Sequence, residues 1–262
     1  MKILHVMPSY IPAYRYGGPI KAVHELCKAL VKRGVGTSVF TTNIDLEKRL
    51  DVPLNNQQDV EGVKVTYFRV NFPASYCYSR DLHKAMETQA HKFDVVHIHS
   101  VFLYPTYAAV CCCRHQGIPY IINPFGALDP DMIKLKNAVV KNIYIKLIER
   151  RNIINAAAVH TASIYEKEQF LALGFNVPVA VVPRGLNLED YVSAQPPKDI
   201  RKDYPQLDGK KLILFLGRIH QKKGLDLLAE GLKKVVDNRK DVCLVIAGPD
   251  EDNYAGKIKR LL

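Results

Sequence analysis

The chain has 262 residues, of which 48% are hydrophobic and 24% charged, so it can build a proper core and lacks the composition of a disordered protein. A formal charge of +11 favours anionic partners such as nucleotide sugars or acidic lipid headgroups, and the lack of an RNA-binding aromatic motif or zinc-finger spacing ranks nucleic acid last. The six cysteines form no C-x-x-C pair, MKILHVMP meets Pro8 too early for a secretory leader, and no apolar run reaches the roughly 18 residues of a membrane span, so a reduced, cytoplasmic protein is expected.

Residues 2–8 read as a first strand, followed by a loop over 9–18 that ends in Gly17-Gly18. Ile20, Val23, Leu26, Cys27, Leu30 and Val31 then mark one face of a helix closed by Gly34. Strands are expected over 38–42 and 63–70, with a polar, irregular stretch at 43–61 between them. A helix is expected over 79–91. DVVHIHS (94–100) has the near-continuous apolar character of a buried parallel strand. A helix over 107–115, a strand over 118–122 and one long helix over 132–154 come next, then strand 157–162, helix 164–173 and strand 179–183. Strands alternating with helices predict an α/β fold with a doubly wound parallel sheet. Three prolines within 193–211 mark a linker. The expected organisation is a domain at 1–192, a linker at 193–210 and a partial second domain at 211–262, whose two strands are too few for a complete doubly wound sheet.

The second domain carries the most informative pattern. An apolar strand (212–216) stops at Gly217-Arg218, a short loop holds Lys222, Lys223 and Gly224, and Leu225, Leu228, Leu232 and Val235 follow at helical spacing. This puts a guanidinium at the C-terminal end of a strand and an ammonium at a helix N-terminus, where open α/β sheets bind ligands and where free N–H groups favour phosphate. Arg218 and Lys223 together suit a diphosphate; the alternative is a solvated Lys-Lys turn beside a surface arginine. Gly17 and Gly18 allow close backbone approach between the first strand and first helix. His97 and His99 share one side of their strand, with His99 at its C-terminal end, and two histidines alone make no complete metal site.

These segments, taken together with YGGPIKAVHELCKALVKRG (16–34), VVPRGLNLEDY (181–191) and LVIAGPDEDNY (244–254), resemble the retaining family 4 glycosyltransferases, in family order over nearly the whole chain. The resemblance implies two Rossmann-like domains of the B-type fold, the second incomplete here, with roughly half of the donor domain and its E-x7-E element absent. It implies a sugar transferred from a nucleoside diphosphate sugar to a saccharide or lipid-linked acceptor in surface polysaccharide synthesis. Arg218, Lys223 and His99 are then the candidate catalytic residues, and Gly17, Gly18, Gly217, Arg184 and Gly126 the candidate substrate-binding ones. No cofactor and no metal is expected, since two fixed cations at the leaving diphosphate replace one and no D-x-D motif stands in a strand–loop context. The loop NPFGALDP (123–130) departs from the family, with Phe125 where many relatives have histidine, so that histidine's role does not carry over.

Helix 132–154 interleaves Lys134, Lys136, Lys141, Lys146, Arg150 and Arg151 with Ile143, Leu147, Ile148 and Ile154. Such a helix either lies on an anionic membrane surface, as suits a lipid-linked acceptor, or packs on a core with a solvated basic face. Two other readings stay open: a nucleotide-sugar epimerase of the same fold, or a non-catalytic chain that binds acceptor or partner. With the E-x7-E element absent, residues 1–262 alone are expected to turn over poorly.

Overall fold

A computed structural model describes residues 1–135, 137–188, 192, 198–250 and 253–262, the side chains of Leu135 and Lys222 excepted. The chain separates into two compact units, Met1–Glu189 and Asp190–Leu262.

The first unit is built on one sheet. Its strands are β1 (Lys2–Met7), β2 (Gly36–Thr42), β5 (Gln57–Val60), β6 (Val63–Phe68), β7 (Val95–His99), β8 (Tyr120–Asn123), β9 (Ala158–Thr161) and β10 (Val179–Val181), in the spatial order β10-β9-β8-β7-β1-β2-β6-β5. A separate two-residue pair, β3 (Ile44–Asp45) and β4 (Lys48–Arg49), is antiparallel. All pairings in the large sheet are parallel except the edge pair β5–β6. Strand order reverses at β1, which has β2 on one side and β7 on the other. The carboxyl ends of β1 and β7 therefore flank a topological switch point, where sheets of this type bind ligands.

One face of the sheet is aliphatic. Leu4, Val6, Val96, Ile98, Ile122 and Val159 alternate onto it and pack against α2 (Arg80–Gln89) and α3 (Tyr104–Gln116) in a single core cluster. Truncating one such buried side chain, Ile98 for example, costs about 2–5 kcal/mol. The opposite face is divided. Over β2 and β6 it is aliphatic, with Val39, Val63 and Val65 covered by Ile20, Val23 and Cys27 of α1 (Gly18–Lys32). Over β1, β7, β8 and β9 the same face bears polar rings and an amide instead, which is the departure from core pattern that marks the site below.

Three expectations need correction. The long helix over 132–154 is interrupted: α4 (Pro130–Leu135) is separate from α5 (Ala138–Tyr144), which continues through a π-helical turn (Ile145–Glu149) into α6 (Arg150–Ile154). Asn137 precedes α5 at φ 55°, a left-handed conformation that asparagine tolerates better than most residues. The irregular stretch 43–61 contains the β3–β4 pair and the edge strand β5. In the second unit Val235 is exposed, and Leu225 and Ala229 form the buried face of its helix. Lys136 and residues 193–197 of the expected linker lie outside the described residues; 198–210 contain two 3-10 turns, Ile200–Lys202 and Pro205–Leu207.

The second unit pairs β11 (Lys211–Leu216) in parallel with β12 (Val242–Ala247), joined through the helix Leu225–Val236, and continues into the helix Ala255–Leu261. Parallel strands are ordinarily covered on both faces, yet Leu214 and Leu216 of β11 are 61% and 79% exposed.

Candidate functional site

Four histidines converge at the C-terminal side of the first unit's sheet. In parallel strands, residues in register point to the same face. His5 of β1 stands beside His97 of β7, and His99, two residues on, shares that face with both. His5 Nδ1 and His99 Nε2 are 2.9 Å apart, and His97 packs over His99 with ring centroids 4.1 Å apart. His160 of β9 completes the row: its Nδ1 lies 3.3 Å from His97 Nε2 and 3.2 Å from Asn123 Nδ2.

The tautomers follow from the partners. His160 Nε2 is 2.8 Å from the carbonyl oxygen of Val182, which can only accept, so Nε2 carries the proton. His160 Nδ1 then accepts from Asn123 and from His97, whose proton lies on Nε2. Burial holds His5 down to about 4 and holds His97 and His99 well below the ordinary imidazole range, so these three rings stay neutral. His5 Nε2 and His99 Nδ1 are buried with no hydrogen-bond partner.

Phe125 roofs this row. Its ring stacks on His99 with centroids 5.8 Å apart, and the Arg184 guanidinium also lies over the ring, 5.0 Å from its centroid. Arg184 Nη2 is also 3.5 Å from Glu166 Oε1. Glu166 is fixed by the start of α7 (Ile164–Ala172): Ser163 Oγ accepts the Glu166 N–H, and Glu166 Oε2 accepts the Ala162 N–H at 2.7 Å. A Cβ on Gly126 (φ 71°) would stand 3.6 Å from Glu166 Oε1. The structure thus brings His99, Gly126 and Arg184 into one neighbourhood through Phe125 and Glu166, two residues that sequence reasoning did not assign.

The loop leaving β7 is bent by Ser100 at φ 103° and Phe102 at φ 66°. Its anchor is Glu149, in the π-helical turn, which is fully buried. Glu149 Oε1 accepts the Phe102 N–H at 2.6 Å and Oε2 accepts from Asn152 Nδ2 at 3.1 Å. Across the switch point, Gly17 (φ 80°) caps the N-terminus of α1, and a Cβ at Gly17 or Gly18 would meet nothing within 4 Å. No side chain caps this end, and open space at a helix N-terminus favours an anion.

In the second unit β11 ends at Leu216, and Gly217 and Arg218 follow directly. Lys223 closes a 3-10 turn (Gln221–Lys223) immediately before Gly224, the αL N-cap (φ 64°) of helix Leu225–Val236. Arg218 and Lys223 are both exposed. The tip of β12 fits tightly against this turn: Gly217 N–H donates to Ala247 O and Ile219 N–H to Pro249 O, each at 2.9 Å. A Cβ on Gly248 would lie 1.9 Å from Gly217 O.

Sequence reasoning missed His5, His160, Glu149 and Glu166. Only the S-x-x-E spacing of Ser163 and Glu166 carried a local signal, as a helix-capping pattern. His5 and His160 read as single histidines within apolar strands until register placed them beside His97.

Residues 17–185 match the glycosyl transferase 4-like domain, and residues 197–262 match the glycosyl transferases group 1. The chain is 27% identical to an uncharacterized glycosyltransferase of Methanocaldococcus jannaschii over 268 aligned residues, covering 95% of this chain and 63% of that protein. HepE of Anabaena, solved with UDP and glucose, has a similar fold (TM-score 0.64, 17% identity, 100% of this chain and 65% of that one). So does the sucrose-phosphate synthase of Thermosynechococcus elongatus (TM-score 0.60, 16% identity, 99% of this chain and 73% of that one). The chain therefore spans a little under two thirds of the length of the relative from Methanocaldococcus jannaschii and of HepE.

Proposed function

The chain belongs to the glycosyl transferase 4-like family, and on that premise we propose that it moves a sugar, with retention of configuration, from a nucleoside diphosphate sugar to a saccharide or lipid-linked acceptor in surface polysaccharide assembly. One observation carries the reading: a guanidinium, Arg218, just past a parallel strand and an ammonium, Lys223, just before a helix N-terminus capped by an αL glycine. Negative charge grows on the diphosphate as the glycosidic bond breaks, so cations fixed there stabilise the transition state more than the ground state. Arg218 offers a planar fork for two oxygens and Lys223 a point charge. In this reading the pair takes the place of a metal ion. A similar fold solved with UDP favours a uridine nucleotide.

In the same reading Gly17, Gly18 and Gly126 in the first unit and Gly217 in the second each give substrate room beside the backbone. His99 contacts the reacting sugar or its acceptor. Because His99 is 1% exposed beneath Phe125, that contact requires the Phe125 ring to turn aside. Arg184, held between Phe125 and Glu166, is then the cation uncovered beside it.

The lipid-linked acceptor fits the surface of α5 and its continuation. Val139, Val140, Ile143, Leu147 and Ile154 are all exposed there, alongside exposed Lys146, Arg150 and Arg151. An apolar stripe among cations suits the cytoplasmic face of an anionic bilayer. No helix among the described residues is long and apolar enough to cross a membrane. Beside the stripe, a cavity of about 680 Å³ is lined by Tyr76, Tyr104, Tyr107, Arg114, Leu147 and Arg151. Amphipathic rings and guanidinium groups of this kind occupy the headgroup layer.

Calorimetric titration with UDP and with GDP tests the donor site. Binding that Arg218→Ala abolishes supports the reading; a folded chain that binds neither nucleotide removes it. Product analysis with a nucleotide sugar and acceptor separates transfer from epimerisation.

A further inference from the structure

Three imidazoles meet at the β1–β7 seam, and of these only His99 has a part in the transfer reading. One ring nitrogen from each of His5, His97 and His99 lies within 4.8 Å of the other two. They come from adjacent strands, His97 and His99 as an i, i+2 pair on β7 and His5 in register on β1. No carboxylate or thiol belongs to the cluster. Imidazole nitrogen suits zinc, copper, iron and nickel, whereas magnesium and calcium take oxygen ligands.

We propose that His5, His97 and His99 bind a divalent transition-metal ion of the zinc class, which ties β1 to β7 across the switch point. Two nitrogen ligands of a tetrahedral zinc stand about 3.3 Å apart, from bonds of roughly 2.0–2.1 Å. His5 Nδ1 and His99 Nε2 already stand 2.9 Å apart, so a displacement of a few tenths of an ångström admits the ion between them, the proton they share moving to the outer nitrogen of the ring that carries it. His160 and Asn123 supply the outer layer, since His97 Nε2 donates to His160 Nδ1, which Asn123 also engages. The site shares His99 with the transfer reading and uses none of the residues assigned to the donor diphosphate; metal uptake is read without transfer, so the two can fail separately.

The test is titration of the chelator-treated full chain with cobalt(II), followed by visible absorption, with zinc-dependent melting in parallel. We expect one equivalent of cobalt with the d–d bands of a low-symmetry nitrogen site. Saturating zinc should raise the melting temperature by about 5 °C or more, and magnesium should leave it unchanged. His5→Gln and His97→Asn should lose both responses, while His91→Ala, on the exposed surface, keeps them. Should either histidine variant fail to fold by circular dichroism, the wild-type stoichiometry and the His91→Ala control decide. A folded wild-type chain that takes up no cobalt, or folded variants that bind as wild type does, would overturn the proposal.

Discussion

Glu149 Oε1 accepts the backbone N–H of Phe102 at 2.6 Å, tying a buried carboxyl in a π-helical turn to the bent loop that leaves β7 just after His99. The contact spans 47 residues of sequence and sets the course of the chain immediately beyond the histidine row. Single π-helical turns often mark functional positions, and here the turn carries an acid into the interior.

Burial raises the Glu149 carboxyl above its ordinary 4.5, against the opposing hydrogen bonds from Phe102 and Asn152. Between the ordinary and the raised value, the folded chain binds more protons than the unfolded one. Its contribution to stability is therefore present below 4.5 and is lost as pH rises through the raised value. Glu149→Gln keeps an oxygen for the Phe102 N–H and removes the titration. Urea midpoints followed from pH 4.5 to pH 8 should show the variant gaining on wild type as pH rises. Parallel curves would contradict this. Glu149→Ala, which strands the Phe102 N–H, should cost about 2–3 kcal/mol.

Gly248 and Gly217 differ in what they tolerate. A Cβ on Gly248 would lie 1.9 Å from the Gly217 carbonyl oxygen, and backbone cannot move aside as a side-chain tip can. A Cβ on Gly217 would meet only the Phe215 ring, at 3.8 Å. Gly248→Ala should cost roughly 3 kcal/mol or more, and Gly217→Ala appreciably less, the residual strain of its φ of 153°. Denaturant melts of the two variants would check the order, and equal losses would refute the packing argument.

Arg218→Ala should lower kcat/KM for transfer from the cognate nucleotide sugar by about 10²–10³-fold, the usual loss for one fixed electrostatic group. Arg218→Lys should recover little, because the planar two-oxygen fork is lost while the charge remains. Full activity in Arg218→Lys would show that charge alone suffices.

Vesicles containing phosphatidylserine should retain the protein, and neutral vesicles should not. Replacing Lys146 and Arg150 together by glutamine should weaken retention about 20–30-fold, at about 1 kcal/mol per cation near the surface. Leu147→Asp should act through the apolar stripe and be less sensitive to salt. Binding equal on both vesicle types would exclude the anionic surface.

How far each feature could be read depends on where its determinants lie. Strand–helix alternation was legible because it is local: Ile20, Val23 and Cys27 declare a helix face, and Val95 to Ile98 a buried strand, by spacing alone. The break at Asn137 was not, since neither glycine nor proline marks it and the apolar-basic pattern runs through the interruption. Edge strand β5 escaped because its polar side chains pair with β6 through backbone, which no side-chain pattern reports.

The sequence by itself determined the α/β class, the family and the turn that carries Arg218 and Lys223, all of which rest on contiguous residues. Tertiary structure alone decided that His5 stands beside His97, that Arg184 and His99 both pack on Phe125, and that Glu149 reaches Phe102. Those relationships depend on strand register and on contacts across tens of residues. A shift of one residue in register would turn every side chain of a strand to the other face, so no reading along the chain could have supplied them.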